Sequence, residues 1–403
     1  MLDRTSRKLG VACVGLGGGV ASTAIAGLEL IRQGSIAPTG LPLGDREIAG
    51  VVDTGQIAFT GWDFDGTDLA AALRTHNVLT EQQIEDVTPR LSQIVPRPAL
   101  MDERFCRNIN GTNIIRANTR RAAANQIRAD IEAFRTSEGL DDVVVMNLAS
   151  TEKVTDLAAP ALASIEAFER ALDADDEAVS PAMVYAYAAI TSGCAYGNFT
   201  PSAAGEIPAL LQLAERYNVP LAGRDGKTGQ TFLKTVLAPA FKARALHVDG
   251  WYSTNILGNR DGEALADPAS LASKLNTKGD VLNDILGYEV KDHIVQIQYY
   301  PPRGDEKEAW DNIDVSGFLG QKMQIKVNFL CRDSILAAPL VIDIARCLDV
   351  ALRRGESGPI EALGVFFKAP MSRDGHPVHA FHEQIAAFDS WISDGVKVTE
   401  PAQ

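Results

Sequence analysis

The first apolar run, LGVACVG ending at Gly15, is too short for a helix and carries β-branched valines, as a buried strand does. It opens into the turn GLGGG, and VASTAIAGLELIRQG then shows apolar positions at helical spacing until Gly34 stops it. EIAGVVD, residues 47 to 53, supplies a second strand, so the chain begins strand, helix, strand. From about 64 to 135 the text is more charged, with a helix at TDLAAALRTH and a long one at RRAAANQIRADIEAFRTSEG. DDVVVMNLAS (141 to 150) is a fully apolar strand, and NVPLAGRDG (218 to 226) is a further one after the helix PALLQLAERY. Strands alternating with helices predict an α/β fold built on a parallel, doubly wound sheet.

The pattern changes after about residue 240. ALHVDGWYSTNILG, HIVQIQYYPP and QKMQIKVNFLCRD alternate as strands and predict a separate α+β layer. Two helices, SILAAPLVIDIARCLDVALRRG and HAFHEQIAAFDSWIS, close the chain and are expected to pack back on the first part.

Length and charge narrow the function. At 403 residues the chain fits two domains and can hold a cleft between them. Lys+Arg of 38 against Asp+Glu of 52 leaves a net charge of −14, which repels nucleic acid and anionic membranes. An anionic ligand therefore needs its own local cations. Cys13, Cys106, Cys194, Cys331 and Cys347 form no CxxC pair and the histidines no zinc spacing, so reduced cysteines in a cytoplasm are expected. No signal-peptide pattern and no apolar stretch of about 20 residues appears.

Three sets of residues carry candidate chemistry. GLGGGVAST (15 to 23) lies between a strand and a helix, where glycines let the backbone approach a pyrophosphate and helix N–H dipoles face it. The acidic partner of such a site is either Asp53 or Asp63. AGRDGKTGQTFLKT (222 to 235) places Asp225 at a strand end and Thr228, Gly229, Gln230 and Thr231 before a helix. That pattern suits a phosphate, although an N-capped helix with a flexible turn reads the same way. Lys274, Lys278, Lys307 and Lys368 form the third set. Most lysines in an acidic chain are solvated surface, but the FF and AP around Lys368 are apolar and favour acid-base use. Asp261 and Asp333 lie at apparent element junctions, where either is a cap or a ligand.

GLGGGVAST, NLASTE, YAYAAITSGCAYGNFTPS, AGRDGKTGQTFLKTVLAP, NILGNRDG, SKLNTK and DSILAAPLVIDIAR together, in this order, resemble the myo-inositol-phosphate synthase family, especially its prokaryotic members. The resemblance implies a Rossmann-like NAD-binding domain over 8–235 and a catalytic and tetramerisation domain over 236–335. It implies that the C-terminal segment 336–403 packs back on the first domain, and that the protein is a cytoplasmic homotetramer. It further implies NAD-dependent isomerising cyclisation of glucose 6-phosphate to 1D-myo-inositol 3-phosphate: oxidation at C5, loss of a C6 proton, aldol closure on C1 and re-reduction, with a monovalent or divalent cation as a further requirement.

Carried onto this sequence, the family's catalytic lysines are Lys274, Lys278, Lys307 and Lys368. Its substrate contacts fall on Asp225, Thr228, Gly229, Gln230, Thr231, Asn255 and Asp261. Its cofactor contacts fall on Gly15, Gly17, Gly18, Gly19, Val20, Ala21, Ser22, Asp63, Ala149, Ser150, Asp225, Asp333 and Ser334. Ile256 and Arg260 depart from the family's NHLGNND pattern and are expected to reshape the pocket. A cyclase for another sugar phosphate and a plain sugar dehydrogenase are the competing readings.

Overall fold

A computed structural model describes residues 7–44, 48, 50–106, 110–259, 262 and 281–394. Seven strands form one parallel sheet in the order β11-β6-β5-β4-β1-β2-β3. They are β1 Leu9–Val14, β2 Ile57–Asp63, β3 Arg97–Pro98, β4 Asp142–Asn147, β5 Ala195–Asn198, β6 Pro220–Gly223 and β11 Gly358–Pro359. Every residue of β1 is buried because helices cover both faces of the sheet, which is why the run reads as continuously apolar. On one face lie the helices Gly19–Arg32, Leu69–His76, Glu81–Leu91 and Asp333–Arg353; on the other lie Arg120–Glu138, Ile165–Asp173, Pro181–Thr191 and Pro208–Tyr217. The doubly wound expectation holds, and the strand order reverses direction between β1 and β4.

The second strand is a correction. It runs over Ile57–Asp63, paired with β1 from Leu9↔Ile57 to Val14↔Trp62, and not over 47 to 53. Val51 and Val52 are buried, but the backbone there bonds to arginines: Arg346 Nε donates to the Val52 carbonyl at 2.9 Å and Arg353 to that of Gly50. Gly61 disguised the true strand as a turn. A Cβ there would come within 2.0 Å of the Cys13 carbonyl oxygen, so close passage to β1 requires glycine.

The second layer is a four-stranded sheet in the order β10-β9-β7-β8, built from β7 His247–Leu257, β8 Asp292–Tyr299, β9 Glu306–Ser316 and β10 Lys322–Arg332. Lys307 thus lies on a strand that the sequence pattern left unassigned. Along β9, Lys307, Ala309, Asp311, Ile313 and Val315 turn inward and are buried. The helix Gln230–Ala243 lies under this inner face beside Val281–Leu286, joined in one apolar cluster with Trp251 and Ile313. The helices Gln230–Ala243 and Asp333–Arg353 carry the chain into and out of this layer, so the expected boundaries near 235 and 335 both fall inside helices.

Asp311, 1% exposed, fixes the join. Its carboxylate accepts from Trp251 Nε1 at 2.7 Å, Ser253 Oγ at 2.6 Å and Gln230 Nε2 at 3.1 Å. Asp311→Ala would strand three buried donors. We expect a loss of about 3 kcal/mol or more, read as a lower urea midpoint.

Candidate active site

A cleft of about 380 Å³ opens at the carboxyl ends of the parallel strands, where β1 and β4 diverge and the second sheet leans over them. This is where a doubly wound sheet binds its ligand. The glycine turn forms one wall: Gly15, Gly18, Gly19, Val20 and Ala21 line it. Gly15 has φ +86°, and a Cβ would lie 3.1 Å from the Ala149 Cα, so only glycine lets the turn sit against the loop after β4. Ala149 and Ser150 of that loop also line the cleft. Gly17 donates its N–H to Asp63 Oδ2 at 2.8 Å, and His76 Nε2 lies 2.8 Å from the Gly17 carbonyl oxygen. Ser22 does not reach the cleft, because its hydroxyl is buried and donates back to the Gly18 carbonyl at 2.8 Å.

The two acidic candidates separate clearly. Asp63 ends β2 and lines the cleft, whereas Asp53 caps a short turn by accepting from Gly55 N–H at 2.7 Å. Gly18 begins the helix Gly19–Arg32 without a side-chain cap, and no acidic residue occupies its first turn. A bound pyrophosphate would therefore meet helix N–H groups that no carboxylate of that turn opposes.

The opposite wall holds the expected charges. Lys368 Nζ donates to Asp225 Oδ1 at 2.6 Å, with both groups buried. Asp225 sits at φ +59°, held by its N–H to the Thr200 carbonyl at 3.0 Å and by the Lys368 N–H to its own carbonyl at 2.7 Å. The apolar surroundings expected of Lys368 are therefore a correction: Phe366 and Phe367 pack into the core, and the ammonium meets a carboxylate. Lys307, also buried, donates to Asp333 Oδ1 at 3.2 Å, and Thr228 Oγ1 donates to the same oxygen at 3.2 Å. Ser334 Oγ donates to Asp305 Oδ1 at 2.7 Å. Burial, with the Asp333 charge adding to it and the Ser334 bond opposing, holds the Asp305 carboxyl above its usual range.

Gly229, Gln230, Thr231 and Asn255 stand behind this wall. Gly229 precedes the helix Gln230–Ala243, and a Cβ there would lie 4.0 Å from Lys307 Nζ. Gln230 and Asn255 bond to each other in the Asp311 network, and Thr231 is buried. Ile256 points to the outer side of its sheet, paired across to Glu308, so it does not reshape the cleft as expected. Lys274, Lys278, Arg260 and Asp261 lie outside the described residues. Among the described residues no three His, Cys, Asp or Glu side chains cluster as a metal site.

The family described as Myo-inositol-1-phosphate synthase matches residues 41–393. Inositol-3-phosphate synthase 1 of Bacteroides thetaiotaomicron is 41% identical, covering 98% of this chain and 97% of its own. The chain belongs to this family. An inositol-3-phosphate synthase of Drosophila melanogaster is 32% identical over 96% of this chain and 78% of its own. The crystal structure of the inositol-3-phosphate synthase of Caenorhabditis elegans superposes with a TM-score of 0.90 at 27% identity, covering 98% of this chain and 88% of that one.

Membership of the myo-inositol-phosphate synthase family makes NAD the cofactor and isomerisation the reaction class, as the sequence segments implied. The uncapped helix, the glycine turn and Asp63 fit that dinucleotide.

Several cleft residues escaped the sequence reading, among them Asp305, Asn259 and Glu152. Asp305 stands two residues before Lys307 in RGDEKEAW, and that nearness was the available signal. Asn259 gave none. Glu152 closes the quoted NLASTE; it is buried, accepts from Ala182 N–H at 3.0 Å through Oε1, and has no described partner at Oε2. Burial pushes its carboxyl up to about 7, against the bonds from Ser180 and Ala182.

Two outcomes follow for this site. Asp63→Ala is expected to weaken NAD binding by about 1–3 kcal/mol, measured by fluorescence titration, since the part-buried acceptor of the Gly17 N–H is lost. Between about 4.5 and about 7 the unfolded chain has released the Glu152 proton that the folded protein keeps, so stability falls as pH rises through that window. Glu152→Gln should raise Tm over the parent at about pH 8 and much less at about pH 5.

Proposed function

We infer that this chain is an inositol-3-phosphate synthase, converting glucose 6-phosphate into 1D-myo-inositol 3-phosphate without net redox change. The observation that carries the reading is the pair of buried ammonium groups, Lys307 and Lys368, each against a carboxylate and both facing a cleft whose other wall is the dinucleotide turn. NAD supplies the oxidation at C5 and the later re-reduction. The protein's part is to anchor the phosphate, extend the open sugar chain along the cleft, and place positive charge where oxyanions develop.

Thr228 and the N–H groups at the start of the helix Gln230–Ala243 would hold the phosphate. That helix, too, lacks a side-chain cap and an acidic first turn. Gln230 and Asn255 act there by fixing the loop against Asp311, since their amides face one another. Lys368 would stabilise the negative charge on the sugar oxygens during enolisation and ring closure, with Asp225 aiming it. Lys307 is aimed by Asp333 in the same manner. Lys274, Lys278 and Asp261 complete the assignment on the strength of their match to the family's segments, Lys274 taking the C5 hydroxyl proton. A monovalent or divalent cation belongs to the proposal as well, with no ligands assigned to it.

The homotetramer and the cytoplasmic location are also proposals. The outer face of the four-stranded sheet carries Ile294 and Leu330, and the following turn carries Phe318 at 88% exposed, an apolar surface suited to a second copy. All five cysteines are free, and no described helix is long and apolar enough to cross a membrane. A role in inositol and phospholipid biosynthesis would follow from the product.

Incubation with glucose 6-phosphate and catalytic NAD should yield a single carbocyclic phosphate by NMR, with no accumulating absorbance from reduced cofactor. Stoichiometric reduced cofactor, or turnover only of another sugar phosphate, would overturn the reading in favour of a dehydrogenase or a different cyclase. Lys368→Ala should lower kcat by about a hundredfold or more while NAD still binds; activity within about tenfold of the parent would remove Lys368 from the mechanism.

A further inference from the structure

Lys227 is used by none of the steps above, yet it lies inside the loop that would hold the phosphate. It is 4% exposed. Its Nζ donates to Gln384 Oε1 at 2.5 Å, 5.7 Å from the Phe381 ring centroid, so both contacts come from the closing helix Phe381–Ser393. Its backbone N–H donates to the Phe366 carbonyl at 2.8 Å, and Gly226 bridges to Phe367. The loop is thereby strapped to the segment that carries Lys368.

What Lys227 lacks is a countercharge. Its ion pairs include no carboxylate among the described residues, and burial alone moves its titration. An ammonium buried against a neutral amide and a ring costs free energy that a methionine of similar length would avoid. The charge is explained if an anion visits the adjacent residues Thr228 to Thr231, where helix N–H groups converge.

We propose that Lys227, held by Gln384, is a positioning residue for the substrate phosphate: it fixes the 226–229 turn from behind and gives it a positive charge that the bound ester compensates. This rests on the reading of that loop as the phosphate site. The groups facing Lys227 are Gln384 and Phe381 on the closing helix and the Phe366 carbonyl. In the neighbouring loop and strap, Asp225 and Lys368 bond to each other, and His382 and Glu383 are exposed, 3.7 Å apart.

Burial brings the Lys227 ammonium down to about 7. A bound anion favours the charged form, so anion affinity falls as pH rises through that value, and binding takes up a proton. Sulfate serves as the probe because it stays dianionic across the range. Its Kd for the NAD-loaded full-length protein is measured by calorimetry at about pH 6 and about pH 8.5, with competition against glucose 6-phosphate. The parent is expected to bind about tenfold more weakly at the higher pH. Lys227→Met should bind weakly at both, with KM for glucose 6-phosphate raised and NAD affinity kept, whereas Lys227→Arg should restore binding without the pH dependence. Equal sulfate affinity in the parent and Lys227→Met at both pH values overturns the proposal. Should Lys227→Met fail to fold, proton uptake by the parent at about pH 7, read in two buffers of different ionisation heat, decides: none overturns it. Sulfate that competes independently of pH defeats the role of Lys227 alone; sulfate that never displaces glucose 6-phosphate defeats the phosphate-loop reading as well.

Discussion

Lys368 and Asp225 meet at 2.6 Å, away from water, across 143 residues of chain, and the cleft depends on that contact. A buried ion pair recovers its desolvation cost only when geometry and further hydrogen bonds are good. Here the backbone supplies them: Arg224 N–H donates to the Ala369 carbonyl, Lys368 N–H to that of Asp225, and Met371 N–H to that of Gly223. The strap 366–371 thus runs beside the end of β6 and holds the catalytic candidate Lys368 against Asp225, a candidate substrate and cofactor contact. Losing either charge would remove this ion pair from a buried place, where a charge is costly to keep.

A second constraint joins the two sheets. The helix Gln230–Ala243 starts at the cleft and continues under the four-stranded sheet, where Gln230 and Asp311 tie it to β7 and β9. Lys307 is delivered from that sheet, and Asp333, its partner, from the first residue of the helix that follows β10. The Thr228–Asp333–Lys307 contacts therefore join the end of one sheet to the edge of the other. The position of the ammonium is set by the register of β9 and not by a loop.

How much of this the sequence disclosed varies with the kind of signal. Runs buried on both faces, such as LGVACV and DVVVMN, are unmistakable because nothing polar interrupts them. IAFTGWD was hidden by Gly61, a residue that signals a turn locally and close strand passage globally. EIAGVVD misled for the opposite reason: Val51 and Val52 are buried, but the carbonyls of Val52 and Gly50 bond to Arg346 and Arg353, partners some 300 residues away. At the site, the glycine turn was legible because its geometry is local. Gln230 and Asn255 look like ligand-binding amides in the sequence, and only the fold reveals that they face each other. Lys227 was visible as a letter in the motif, but its burial against Gln384 depends on a helix more than 150 positions later.

The distance along the chain between Asp225 and Lys368 has a bearing on biogenesis. Most of the parallel sheet can pair while the ribosome is still making the second layer, because β1 to β6 all precede residue 224. The countercharge for Asp225, the edge strand β11 and the helix that grips Lys227 are translated only afterwards. A nascent or prematurely terminated polypeptide would hold paired strands whose one face still lacks the helix Asp333–Arg353, and no Lys368 beside Asp225. Chemical competence would arrive with the last elements synthesised, so incomplete translation products would be inert toward the sugar.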